Sequence, residues 1–157
     1  MNEERAKSFA GYLLASRMYT CDEIYKRLIR KGCDDETAEK VVAEFCSAGI
    51  LNDEKYAEMY IYDAVNIHMK GFYRIKQELL RKGIAASVIE RAAEGMEDDA
   101  EDRLLEYARQ RFGDRVFTDY REIEKAKAHL MRRGYSFSDI NRCFRALDIK
   151  VSRGDDD

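Results

Sequence analysis

The sequence predicts an all-α protein of three tandem three-helix units, nine helices in all. Three observations predict it. The phrases "LIRKG", "LLRKG" and "LMRRG" close on Gly32, Gly83 and Gly134, which lie 51 residues apart each time. After each glycine an apolar stripe recurs at the spacing of one helix face: Ala38, Val41, Val42 and Phe45; Ile89, Ala92, Ala93 and Met96; Ile140, Cys143, Phe144 and Leu147. Proline is absent from all 157 residues, so nothing in the chain interrupts a helix on that account. Self-similarity at such a period marks stacked supersecondary units.

The elements follow in order. "ERAKSFAGYLLASR" is the first helix of unit one, with Ala6 equivalent to Ala57 and Ala108 in the later units. Thr20 and Glu23 have the spacing of a capping box and open the second helix, whose core positions Ile24 and Leu28 match Ile75 and Leu79, then Ala126 and Leu130. Gly32 is its stop: glycine takes the left-handed conformation cheaply, and Arg30 and Lys31 face the negative end of the helix dipole. Asp34–Asp35 open the third helix. Unit two starts with "EKYAEMYIYDAVNIHM". Ala57, Tyr60, Ile61, Ala64 and Val65 make one stripe there, and Tyr56, Met59, Tyr62 and Met69 widen it past half the circumference. The expectation is a helix buried on more than one side, at the junction of units one and two. "AEDRLLEYARQRF" begins unit three behind Asp98–Asp99, acids that suit a helix start. The expected units are residues 1–52, 53–97 and 98–150, with 151–157 an acidic tail expected to be disordered. Each unit is marginal alone and must bury apolar surface on its neighbours.

Several classes of function are disfavoured. No apolar run reaches the ~20 residues of a membrane span, and the acidic N-terminus does not read as a signal peptide. The cysteines Cys21, Cys33, Cys46 and Cys143 form no CxxC pair, and His68 and His129 are far apart in sequence, so no zinc site is expected. Free thiols suit a reducing cytoplasm. Phosphate-loop, GxSxG and HExxH patterns are all missing, and no enzyme activity or cofactor is expected. Charge is uneven beneath an overall −3. Ala86 to Asp102 holds seven acids and one arginine, whereas Arg103 to Arg153 holds 13 basic and seven acidic residues. That basic third unit suits nucleic acid or an acidic protein groove.

The second helices repeat a basic register. Arg30, Arg81 and Arg132 are equivalent, followed by Lys31, Lys82 and Arg133. Helix capping accounts for these without a partner. It does not account for Arg74, Lys76, Lys125 and Lys127, which the period places near helix starts, where cations oppose the dipole. Together the ten residues are the candidate binding surface.

Four ordered blocks then resemble the RecX family of bacterial recombination regulators, over roughly residues 8 to 148. They are "SRMYTCDEIYKRLIRKG", "GILNDEKYAEMYI", "KGFYRIKQELLRKGI" and "LMRRGYSFSDI". Thr20, Asn52 and Phe72 depart from the Ser, Asp and Pro usual at those positions of the pattern. The resemblance implies an elongated, curved nine-helix protein that binds the RecA–DNA filament along its groove. It also implies inhibition of RecA's ATPase, strand-exchange and co-protease activities, and binding to single- or double-stranded DNA. The expected protein is a cytoplasmic monomer. A sequence-independent DNA-binding module and a generic helical scaffold for another protein are the alternatives.

Overall fold

The computed structural model describes residues 1–113 and 115–147, the side chain of residue 97 excepted. The expected acidic tail and residues 148–150 lie outside the described residues. Among the described residues there are nine α-helices and no strand, as the period required: α1 Glu3–Ser16, α2 Cys21–Arg30, α3 Asp35–Ser47, α4 Asp53–Asn66, α5 Phe72–Arg81, α6 Ala86–Ala92, α7 Ala100–Phe112, α8 Tyr120–Arg132 and α9 Phe137–Ala146. A short 3-10 turn, Met96–Asp99, precedes α7.

Local chemistry sets most of the boundaries. Asn2, Thr20, Asp34, Asp119 and Ser136 each accept a backbone N–H from the first turn of the helix they open. Thr20 and Glu23 form the full reciprocal capping box. Asn52 caps α4 through Lys55 N–H at 3.0 Å, so the amide does the work of the usual carboxylate. Asp98–Asp99 lead into α7 as expected, with Asp99 at the N-cap position; its side chain makes no capping hydrogen bond, and the 3-10 turn ends there.

The chain divides into two compact units, one of residues 1–60 and 78–92, the other of residues 61–77 and those described from 93 onward. In the first, Ala6, Ala10, Leu13, Ile24, Leu28, Ala38 and Val41 form the core of α1–α3. In the second, Leu104, Ala108, Phe112, Phe117, Leu130, Ile140 and Phe144 form the core of α7–α9. Ile75, Leu79 and Ile89 are fully buried as their repeat positions predict.

Two apolar expectations are met only in part. Along α4 only Ala57, Ile61, Ala64 and Val65 are buried; Met59 is 50% and Tyr62 68% exposed, and Met69 lies beyond the helix end. Counting tyrosine and methionine as core residues overstated the stripe, since both tolerate solvent. In α6 the helix itself stops at Ala92, so Ala93, buried as the stripe expects, lies just past its end, and Met96 opens the 3-10 turn.

The repeated phrase is a Schellman motif each time. Cys33, Ile84 and Tyr135 donate their N–H groups back to the carbonyls of Leu28, Leu79 and Leu130, at 3.0, 3.2 and 3.3 Å. The intervening Gly32, Gly83 and Gly134 have φ of 105°, 84° and 104°. Their surroundings differ, however. A Cβ on Gly32 would meet nothing, on Gly83 it would collide with the Asp22 side chain, and on Gly134 it would lie 2.6 Å from both Arg74 Cβ and Gly71 O.

Two outcomes follow for stability. Leu79→Ala should destabilise by about 2–5 kcal/mol, read as a denaturation midpoint shift; a midpoint unchanged from wild type would mean that the core position is misplaced. Gly32→Ala should cost only the left-handed backbone strain, roughly 1–2 kcal/mol. Gly134→Ala should cost clearly more, because its Cβ also meets backbone.

Candidate functional site

The basic register divides into cations in solvent and cations already engaged within the chain. Arg30, Lys31, Arg81, Lys125 and Arg132 are exposed, while Arg74, Lys76, Lys82, Lys127 and Arg133 are half-buried. Much of that difference arises where the end of one helix meets the start of another.

In the first compact unit, Thr20 sits fully buried at the start of α2. Its hydroxyl donates to Lys82 O at the end of α5, at 2.7 Å, while its oxygen accepts from Glu23 N–H. Lys82 Nζ lies 3.9 Å from Glu23 and over the rings of Tyr56 and Tyr60, at 5.9 and 5.8 Å from their centroids. Tyr60 in turn donates to Glu78. Lys82 is therefore a structural cation, whereas the neighbouring Arg81 side chain stands in solvent. Arg30 and Lys31 close α2, with Lys31 Nζ 5.2 Å from the Phe9 ring centroid.

In the second unit the same meeting recurs with different atoms. α5 has no acid in its first turn. Instead Gly71 N–H donates to Arg133 O at 2.8 Å and Tyr73 N–H to Gly134 O at 3.2 Å. The Arg74 guanidinium donates to Arg132 O at 3.3 Å. A cation at a helix start is thus answered by the negative end of α8. Arg133 donates to His68 O, and its guanidinium carbon lies 5.4 Å from the centroid of the Tyr107 ring. Tyr135 OH donates to Met69 O at 2.7 Å, holding a residue at φ 51°. Burial pushes the Tyr135 hydroxyl up to about 12. Tyr107 OH is 2.9 Å from His129 Nε2. Burial first, then the charges of Arg111, Arg133 and Arg132, holds His129 below its ordinary value.

The placing of Lys125 and Lys127 is corrected. α8 starts at Tyr120 behind an Asp119 cap, earlier than the period implies, so both lysines lie mid-helix. Neither opposes a dipole. Lys125 is exposed; Lys127 Nζ lies 5.6 Å from the Phe144 ring centroid, and Lys76 Nζ 5.9 Å from that of Phe72.

Two concavities of the second unit went unread in the sequence. One, of about 450 Å³, brings Arg74 and Arg132 together with Tyr73, Gln77, Met131 and Gly134; Tyr73 is 60% and Met131 51% exposed. An exposed tyrosine and two arginines lining one concavity suit a planar or anionic ligand group. The other, of about 580 Å³, carries Asp98, Glu101, Asp102 and Asp139 beside Phe72 and Tyr73. The acidic run from Ala86 to Asp102 was its visible signal. Among the described residues no cluster of His, Cys, Asp and Glu is arranged to hold a metal ion, and no helix is long and apolar enough to cross a membrane.

Models of the first, second and third three-helix domains of RecX match residues 6–45, 52–92 and 97–144. Regulatory protein RecX of Halorhodospira halophila is 30% identical over 151 residues, covering 96% of this chain and 93% of its own length. The chain belongs to the RecX family. Regulatory protein RecX of Lactococcus lactis subsp. cremoris (strain SK11) is 28% identical over 153 residues, which are 94% of this chain but 56% of that relative. The crystal structure of RecX from Lactobacillus salivarius superposes with a TM-score of 0.79 at 23% identity, over 93% of this chain and 96% of that one. These RecX relatives carry the name of regulatory proteins, and the fold is theirs.

Arg74 and Lys125 therefore part company in a stability measurement. Arg74→Glu should set a carboxylate against the α8 carbonyls and cost about 1–2 kcal/mol. Lys125→Glu should leave the melting midpoint within error. Equal midpoints for the two variants would show that Arg74 does not hold the end of α8.

Proposed function

We propose that this chain regulates the RecA recombinase. In this reading it binds the RecA–DNA filament and inhibits RecA's ATPase, strand-exchange and co-protease activities, so modulating recombination and the SOS response. It acts as a cytoplasmic monomer, without enzyme activity or cofactor. The observation that carries the reading is the ordered match of three RecX domains, with relatives named as regulatory proteins along nearly the whole chain. The repeat supports it physically. A filament offers the same surface on successive subunits, and equivalent patches on a repeat can engage several of them, so that weak contacts add. Within the basic register, the exposed Arg30, Lys31, Arg81, Lys125 and Arg132 are assigned to the partner, and the half-buried cations to holding those helix ends in place.

The test is RecA ATPase on single-stranded DNA with the protein titrated in. Inhibition is expected at or below one protein per RecA subunit. Unchanged ATPase, strand exchange and repressor cleavage at excess protein would favour a scaffold for some other partner. Arg81→Glu combined with Lys125→Glu should weaken inhibition while the protein stays folded.

A sequence-independent DNA-binding role is the second reading, favoured by the Tyr73 groove with its flanking Arg74 and Arg132. Salt separates the two. Binding to DNA alone should fall steeply with salt, whereas a filament regulator needs RecA for tight binding.

A further inference from the structure

Unit-one chemistry holds a feature that neither reading uses. Cys21, the first residue of α2, and Cys46, in the last turn of α3, bring their sulfurs to 3.0 Å. Both residues belong to one compact unit. Cys46 is exposed and Cys21 half-buried, while Cys33 and Cys143 are buried in separate cores. A disulfide needs a separation near 2.05 Å, so the pair closes by an approach of about 1 Å. We propose that Cys21 and Cys46 are a reversible oxidation site, with Cys46 the thiol that reacts first and Cys21 the one that resolves it.

The assignment of roles rests on access and surroundings. A helix start ordinarily favours a thiolate, but here the Asp53 carboxylate takes the Cys21 N–H at 2.9 Å. Burial, then the Cys46 sulfur and the Asp53 charge, holds the Cys21 thiol well above its ordinary value. Cys21 is thus a poor first nucleophile, and it acts through proximity once its neighbour is activated. The oxidant is a low-molecular-weight disulfide such as oxidised glutathione. The Cys46 thiolate attacks one of its sulfurs, forming a mixed disulfide and expelling one glutathione thiolate. Cys21 then loses its proton to solvent, and its sulfur attacks Cys46 Sγ. The second glutathione thiolate leaves and is protonated. Two protein thiols are oxidised to one disulfide, and one glutathione disulfide is reduced to two thiols. The bond would tie the start of α2 to the end of α3, beside the Thr20 hydroxyl that holds Lys82 O.

The experiment incubates the full chain with oxidised glutathione, blocks remaining thiols and maps tryptic peptides without reduction. The expected product joins peptide 18–26 to peptide 41–55 with loss of two hydrogen atoms, leaves Cys33 and Cys143 as thiols, and reverts with dithiothreitol. In Cys21→Ser the glutathione adduct should persist on Cys46; in Cys46→Ser little adduct should form. A wild-type chain that keeps glutathione on Cys46, links Cys33 or Cys143 instead, or cross-links between molecules through Cys46 would overturn the proposal.

Discussion

A helix leaves carbonyls unbonded at its C-terminal end and N–H groups unbonded at its start. In this chain two such ends meet two such starts, and much of the architecture depends on that pairing. The end of α5 presents Lys82 O to the Thr20 hydroxyl at the start of α2. The end of α8 presents Arg133 O and Gly134 O to the Gly71 and Tyr73 amides at the start of α5. Opposed dipole ends attract, but the approach is possible only without a side chain between them. Gly83 and Gly134 supply that absence while also ending their helices. At these two positions glycine therefore performs two tasks, whereas at Gly32 it serves the helix stop alone.

The same pairing reassigns some of the charge. Arg74 at a helix start is unfavourable in isolation, yet it is bonded to a carbonyl at the end of a helix 58 residues further along. Lys82 is held between a carboxylate and two aromatic rings. Arg133 reaches His68 O and lies over Tyr107. Such cations fix geometry. Of the same register, Arg81 and Arg132 stay in solvent beside those helix ends, Arg30 and Lys31 are exposed at the end of α2, and Lys125 is exposed midway along α8.

What was legible in the sequence was local. The capping box at Thr20, the glycine stops, the Leu28, Leu79 and Leu130 core positions and the Asp34 cap all depend on residues within about one or two turns of each other. The RecX resemblance was legible as well, from four short blocks in order. Long-range pairing was not: no periodicity shows which carbonyl Arg74 will meet. The early start of α8 was written in Asp119 and Glu122, but the 51-residue rule, applied rigidly, moved the expected start later. Along α4 the pattern was visible and its meaning was not, because a tyrosine such as Tyr62 reads as apolar yet stands in water. Nor could sequence separation reveal that Cys21 and Cys46 would share one corner.

The three glycine ends are not alike, and the difference gives the repeat a polarity of growth. Gly83 and Gly134 are each covered by the start of another second helix, whereas a Cβ at Gly32 would meet open space. The start of α8, by contrast, is closed by its own residues: Asp119 caps it, and Glu122 takes the Thr118 N–H at 2.7 Å. A protein engineer wishing to lengthen the array would therefore graft a new unit ahead of α1, with a buried threonine and a clear helix start to seat on Gly32. Extension beyond α9 would need a hydroxyl in place of Asp119, whose carboxylate has no hydrogen to give an incoming carbonyl.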